Sequence, residues 1–264
     1  MRIKKKFHRD GVILFKNVWS KKYMESIRDE YQKVKNNCIR KRVPKNKPII
    51  VLWNHSDKGK KKICLFAEFS SVKKLIKKKI IPILKKNIIN KNFKIRLLET
   101  VVFHKPYKIS NKIHWHQDSS TWPIYPNNQV AVWIPFSRVD KKSGALSYAL
   151  KTHKEGIRRS VSLHNNKPYV GDKRKLIPND PEKSGFKVKC MNMHSTDMLC
   201  HHGNTWHTSE PNTKLKEGRS GISIRFIIGD VKYIPNPGQA ATFVKQIKIR
   251  PGEIIKGSAF PRVS

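Results

Sequence analysis

The 264-residue chain sets 57 lysines and arginines against 18 aspartates and glutamates, a formal net charge of +39. Its length admits one sizeable core, and its content of Ile, Leu, Val and Trp excludes a disordered polyelectrolyte. No stretch reaches transmembrane length. The apolar run at residues 11–15, after a basic start, is too short for a secretion signal, which points to a cytoplasmic protein.

Lysine outweighs arginine and runs through every segment, without zinc-finger spacing, an aromatic RNA-binding motif or a GXXG loop. The charge therefore reads as the compositional bias of an AT-rich coding sequence, and nucleic acid is not the expected partner. Cys38, Cys64, Cys190 and Cys200 show neither C-x-x-C nor zinc spacing, which predicts free thiols.

Asp10-Gly11 signals a turn, followed by a short strand over residues 12–18. Ser20 caps a helix to about residue 35, with Tyr23, Ile27 and Tyr31 on one stripe. Residues 40–62 read as a loop around a short strand at 49–53. Ser71 caps a second helix with Val72, Leu75, Ile76 and Ile80 inward, and Pro82 should kink or end it. The lysines at 73, 74, 77, 78 and 79 make this helix strongly basic, more simply a solvated face than a membrane-surface helix. From Lys94 the pattern turns to strands, at residues 95–103, 129–136, 145–150, 186–191, 197–202 and 221–228, punctuated by Asn, Gly and Ser turns. Helices followed by many short strands predict a mainly β protein with flanking helices, an antiparallel barrel or jelly roll. One domain spans residues 1–264, with a long polar insertion at about 156–185 as a candidate lid.

His116-Gln117-Asp118 and the distant His207 can supply two imidazoles and one carboxylate to one face of a metal, the donor set of non-haem Fe(II) oxygenases. His114, His116 and Asp118 share strand parity, so an H-x-H or an H-x-D site is open locally. His114 and His202 read as supporting or solvent-facing groups, His153 as structural, and Met191, Met193 and Met198 as core.

The ordered set Lys105-Pro106, Trp115-His116-Gln117-Asp118, Trp133, Gly144-Ala145-Leu146, Thr152-His153-Lys154, Asp197, His207, Asn212 and Arg219 resembles the phytanoyl-CoA dioxygenase family of Fe(II)/2-oxoglutarate oxygenases. The likeness covers roughly residues 8 to 235 and departs at Ala149-Leu150-Lys151, where the family usually has a Pro-Gly-Ser/Thr turn. It implies a double-stranded β-helix of the cupin type, a cupin-type jelly roll, with Fe(II) on His116, Asp118 and His207. Arg219 would pair with the distal carboxylate of 2-oxoglutarate, with Ser209 and Trp133 lining its pocket. The implied reaction consumes 2-oxoglutarate and O2, releases succinate and CO2, and oxidises a small organic substrate. Retention of Asp118 favours hydroxylation over halogenation, since halogenating relatives carry a small residue there. Trp122 and Tyr125 are candidate substrate-pocket walls or rim packing, and Arg158, with Arg159 and Arg174, could steer an anionic substrate. Two alternatives stand beside this reading. One is an oxidative nucleic-acid demethylase, prompted by the R-x5-R spacing of Arg219 and Arg225. The other is a non-catalytic cupin-fold binding protein.

Overall fold

The structure is a computed structural model that describes residues 2–39, 50–53, 70–108, 110–162, 166–237, 249–257 and 260–264. Two antiparallel sheets face one another. The larger has the order β1-β9-β6-β11-β3-β2, formed by β1 (Val12–Phe15), β2 (Ile50–Trp53), β3 (Ile95–Lys105), β6 (Gln129–Pro135), β9 (Met198–His202) and β11 (Arg219–Ile228). The smaller has the order β4-β10-β7-β8, formed by β4 (Ile113–His116), β7 (Leu146–Ala149), β8 (Val188–Cys190) and β10 (His207–Ser209). A ribbon of β5 (Ile124–Tyr125) and β12 (Lys232–Tyr233) closes one end. This is the mainly β, cupin-type fold the sequence predicts.

Alternation along the strands of the large sheet divides the molecule. Val130, Val132, Ile134, Ile222, Ile224 and Phe226 point to one side and join the main core. Trp133, Ser223 and Arg225 point to the other side, toward the small sheet. The main core is completed by Phe7 of α1 (Arg2–Asp10), by Ile27 and Tyr31 of α2 (Lys21–Ile39), and by a third helical segment. Burying each such isoleucine or phenylalanine contributes about 1.5–3 kcal/mol before chain entropy is counted. α1 is not foreseen in the sequence, where its lysines hide a single buried anchor, Phe7.

The third segment departs from expectation at Pro82. α3 (Ser70–Leu75) passes through a π turn at Ile76–Ile80 into α4 (Ile81–Asn87) instead of ending. A proline ring would strike the carbonyl four residues back in a regular α-helix. Here the Ile81 amide bonds to the Ile76 carbonyl, one residue wider than α, and the helix continues past the proline. Ser71 is not a cap, since its hydroxyl donates to Glu30 of α2 at 2.6 Å. Ser20 does accept the Tyr23 amide.

Among the strands, β1, β6, β7, β8 and β9 are shorter than expected, β3 and β11 run longer, and β10, which carries His207, is not foreseen. The loop expected at 40–62 lies outside the described residues except for β2, as do Cys64 and the Cys38 side chain. Cys190 and Cys200 are free thiols. At the family departure, Lys151 takes φ 70°, the left-handed conformation that a glycine would adopt without strain. The turn survives because Thr152 donates to Ala149 O at 2.7 Å and Lys151 N–H to Asp10 O at 3.0 Å. Among the described residues no helix is long and apolar enough to cross a membrane.

Candidate metal centre

β4 and β10 are neighbours in the small sheet, and their register sets His207 directly opposite His116. Antiparallel partners hold their Cβ atoms within about 5.5 Å, so a 91-residue separation in sequence becomes a ring-centroid distance of 4.1 Å. β4 ends at His116. Asp118 adopts φ −62° and ψ −44° at the head of a 3-10 turn, so strand parity does not carry it. The turn folds its carboxylate back, and one donor atom from each of His116, Asp118 and His207 lies within 4.8 Å of the others, all three buried. His114 stays outside the cluster, as does His202, which packs on His153 with ring centroids 5.5 Å apart.

Both imidazoles are oriented by the same device. His116 Nδ1 bonds the carbonyl of His114 at 2.8 Å, and His207 Nδ1 bonds that of Thr205 at 2.9 Å. A carbonyl only accepts, so each Nδ1 carries the proton and each Nε2 is left with a lone pair. Burial holds both histidines below their ordinary pKa, keeping them neutral. Two neutral Nε2 donors and one carboxylate fit an iron ion.

Sequence reasoning missed how Asp118 is held. Arg225 of β11 donates to Asp118 Oδ1 at 2.7 Å and also bonds Glu99 of β3. His201 of β9 lies 3.0 Å from Asp118 Oδ2 through Nε2, and its Nδ1 lies 3.0 Å from the Tyr148 hydroxyl. Burial works against the Asp118 carboxylate, but Arg225 and the His201 hydrogen bond outweigh it and keep its pKa well below the usual range. β3 carries one extra residue, Leu98, just beyond the Glu99–Arg225 pair, a bulge of the kind that re-aims side chains beside sites. Arg225 was visible only as the end of an R-x5-R spacing, and His201 only as one of two adjacent histidines.

The cavity is lined by Phe103, Ile113, Trp133 and Leu146 together with the cluster, Arg219 and Arg225. Arg219 is buried, with its guanidinium 4.9 Å from the Trp133 ring. Gly221 makes room for that ring, since a Cβ there would lie 2.6 Å from Trp133 Cζ2. Ser209 sits behind Arg219, 3.2 Å from its guanidinium, and donates to Gly144 O. Directly across the strand pair from Arg219 is Lys105, fully buried, bonded to the carbonyls of Ser209 and Glu210. Burial pushes the Lys105 pKa down to about 6 and that of Arg219 to about 10. Neither forms an ion pair among the described residues, and of the two only Arg219 lines the cavity and keeps its charge at neutral pH.

The three substrate candidates lie elsewhere. Trp122 is buried in a separate apolar cluster with Leu98, Ile124, Tyr233 and Phe260, and Tyr125 is 64% exposed on the ribbon. Arg158 is drawn over the Trp206 ring at 5.1 Å and toward Glu155, off the cavity.

A cupin-type β-helix with a two-histidine, one-carboxylate cluster beside a buried arginine defines a class, the non-haem iron, 2-oxoglutarate-dependent enzymes. The family profile of phytanoyl-CoA dioxygenase (PhyH) matches residues 7–220, and the chain belongs to that family. Among solved structures it is similar to the α-ketoglutarate-dependent carbocyclase SnoK from nogalamycin biosynthesis, at 17% identity and TM-score 0.75, covering 100% of this chain and 96% of that one. The epimerase SnoN, solved with Fe3+, α-ketoglutarate and nogalamycin RO, is 15% identical with TM-score 0.72, covering 100% and 98%. EvdO2 from Micromonospora carbonacea var. aurantiaca, solved with 2-oxoglutarate, is 13% identical with TM-score 0.62, covering 90% and 94%. No match is found among curated proteins.

Proposed function

We propose that the chain is a cytoplasmic Fe(II)/2-oxoglutarate-dependent dioxygenase that hydroxylates a small organic substrate. His116, Asp118 and His207 would hold the iron, and Arg219, supported by Ser209 and faced by Trp133, would anchor the distal carboxylate of 2-oxoglutarate. The observation that carries the reading is the carboxylate of Asp118 beside two Nε2 lone pairs, at one end of a cavity whose other end is cationic. When bound, iron and 2-oxoglutarate supply the oxidising power, with O2 and 2-oxoglutarate consumed and succinate, CO2 and a hydroxylated product released.

The protein's share is orientation and charge. The Nδ1 hydrogen bonds aim both imidazoles, while Arg225 and His201 hold the Asp118 carboxylate ionised and in place. A carboxylate arriving at Arg219 would supply the counter-charge that the buried guanidinium lacks, and the guanidinium fork meets it in two parallel hydrogen bonds. Phe103, Ile113 and Leu146 make the rest of the wall apolar, keeping water from the reacting face.

SnoK is a carbocyclase and SnoN an epimerase, so the fold alone does not select an outcome. Asp118 favours hydroxylation over halogenation, because it occupies the position that halide would need. The test is a succinate-release screen over a panel of small molecules, repeated on each active compound under 18O2. One 18O atom in the product supports hydroxylation. A desaturated, cyclised or epimerised product without the label overturns it.

A further inference from the structure

The excess of lysine is not spread evenly over the surface. The three helical segments that cover the large sheet present eleven exposed lysines among their described side chains and one exposed carboxylate, Asp29. From Ile95 to the end of the chain, fifteen exposed lysines are accompanied by six exposed carboxylates. The other acids of the helices are engaged or partly covered. Asp10 is bonded to Arg9, Glu30 accepts from Ser71, and Glu25 lies 3.9 Å from Lys21. An AT-rich coding sequence enriches lysine throughout a chain. It does not remove Asp and Glu, whose codons GAT and GAA are AT-rich themselves, and it does not choose one face.

From this asymmetry we infer that the helical layer is a docking surface for duplex nucleic acid, read through its phosphates and without sequence preference. Among the described side chains the apolar residues of α2, α3 and α4 are turned to the core, and α1 leaves only Ile3 exposed, too little for the apolar face that a membrane-surface helix inserts into a bilayer. The outward residues are lysines, which meet phosphates as point charges, while base reading usually relies on the arginine fork. No tryptophan, tyrosine or phenylalanine of these helices is exposed, so the stacking platform used for single strands is missing. The layer lies across the large sheet from the metal cluster, so it would tether the protein to a duplex and not present a base to the cavity. The inference is independent of the oxygenase reading, and it reverses the purely compositional account of the charge.

The test measures binding of the full-length protein to a labelled duplex of about 20 base pairs by anisotropy between about 50 and about 200 mM salt. In one variant Lys74, Lys77, Lys78, Lys79 and Lys86 are changed to glutamine. In a charge-matched control Lys173, Lys175, Lys183, Lys187 and Lys189 are changed instead. The expected result is a steep salt dependence whose slope drops by up to about 4.5 in the helical variant, at about 0.9 per lost phosphate contact, and stays near wild type in the control. Equal losses in both variants would mean that net charge alone binds, and would overturn the proposal. Tighter capture by phosphatidylserine vesicles than by the duplex, or no duplex binding at about 150 mM salt, would overturn it as well.

Discussion

His116 and His207 each bond a backbone carbonyl two residues upstream through Nδ1, and this repeated local contact makes two ordinary imidazoles into preset donors. Neither contact is legible in a sequence, because it depends on a ring rotamer. The donor types themselves were legible, since H-x-D and a distant histidine are what such a site requires. The residues that support them were not. Arg225 and His201 act across strands whose pairing no local pattern announces. Arg225 bridges two buried carboxylates, so Arg225→Met removes the guanidinium that Glu99 and Asp118 share and should cost the metal-free protein about 3–5 kcal/mol. Thermal unfolding with and without Fe(II) checks this. The variant should unfold earlier and gain more from Fe(II) than the wild type, because the ion restores positive charge beside Asp118. An unchanged metal-free midpoint would refute the assignment.

At the scale of elements, the insertion at 156–185 is tied to the metal turn and does not hang free of it. Gln117, the middle residue of H-x-D, is wholly buried. It donates to Gly156 O at 2.8 Å and Asn204 O at 2.7 Å, and it accepts the Arg158 amide at 2.7 Å. A second tie runs from Ser160 and Arg174 to the carbonyl of Ser120, with Asp172 holding both donors. A residue placed between two candidate ligands thus does structural work that spacing alone does not reveal. Gln117→Leu removes all three bonds and leaves buried groups unpaired, at about 1–3 kcal/mol for each. Limited trypsin digestion should then cut at Arg158, Arg159 or Lys173 faster than in the wild type. An equal cutting rate would show that Gln117 does not anchor the insertion. The π turn before Pro82 makes a similar point. Proline chemistry foretold a disturbance at the right place, but the packing of Ile76, Ile80, Ile81 and Leu84 decided that the helix would go on.

Across the whole molecule, the run of short strands after Lys94 was enough to read a β-rich barrel, because alternation and turn residues are local. The order of the sheets was not readable that way, since β9 pairs with β1 and β6, and β11 with β3 and β6, over long separations. That order separates the two faces of the large sheet. One carries the helices and their lysines, and the other carries Trp133, Arg219 and Arg225 against the metal cluster. The most direct test of the central claim is anaerobic titration of the protein with Fe(II) and 2-oxoglutarate, followed by visible absorption. A weak metal-to-ligand charge-transfer band should appear with both present, vanish in Asp118→Ala and His207→Ala, and require more 2-oxoglutarate in Arg219→Gln. Wild-type protein that develops no band with both additions would contradict the account.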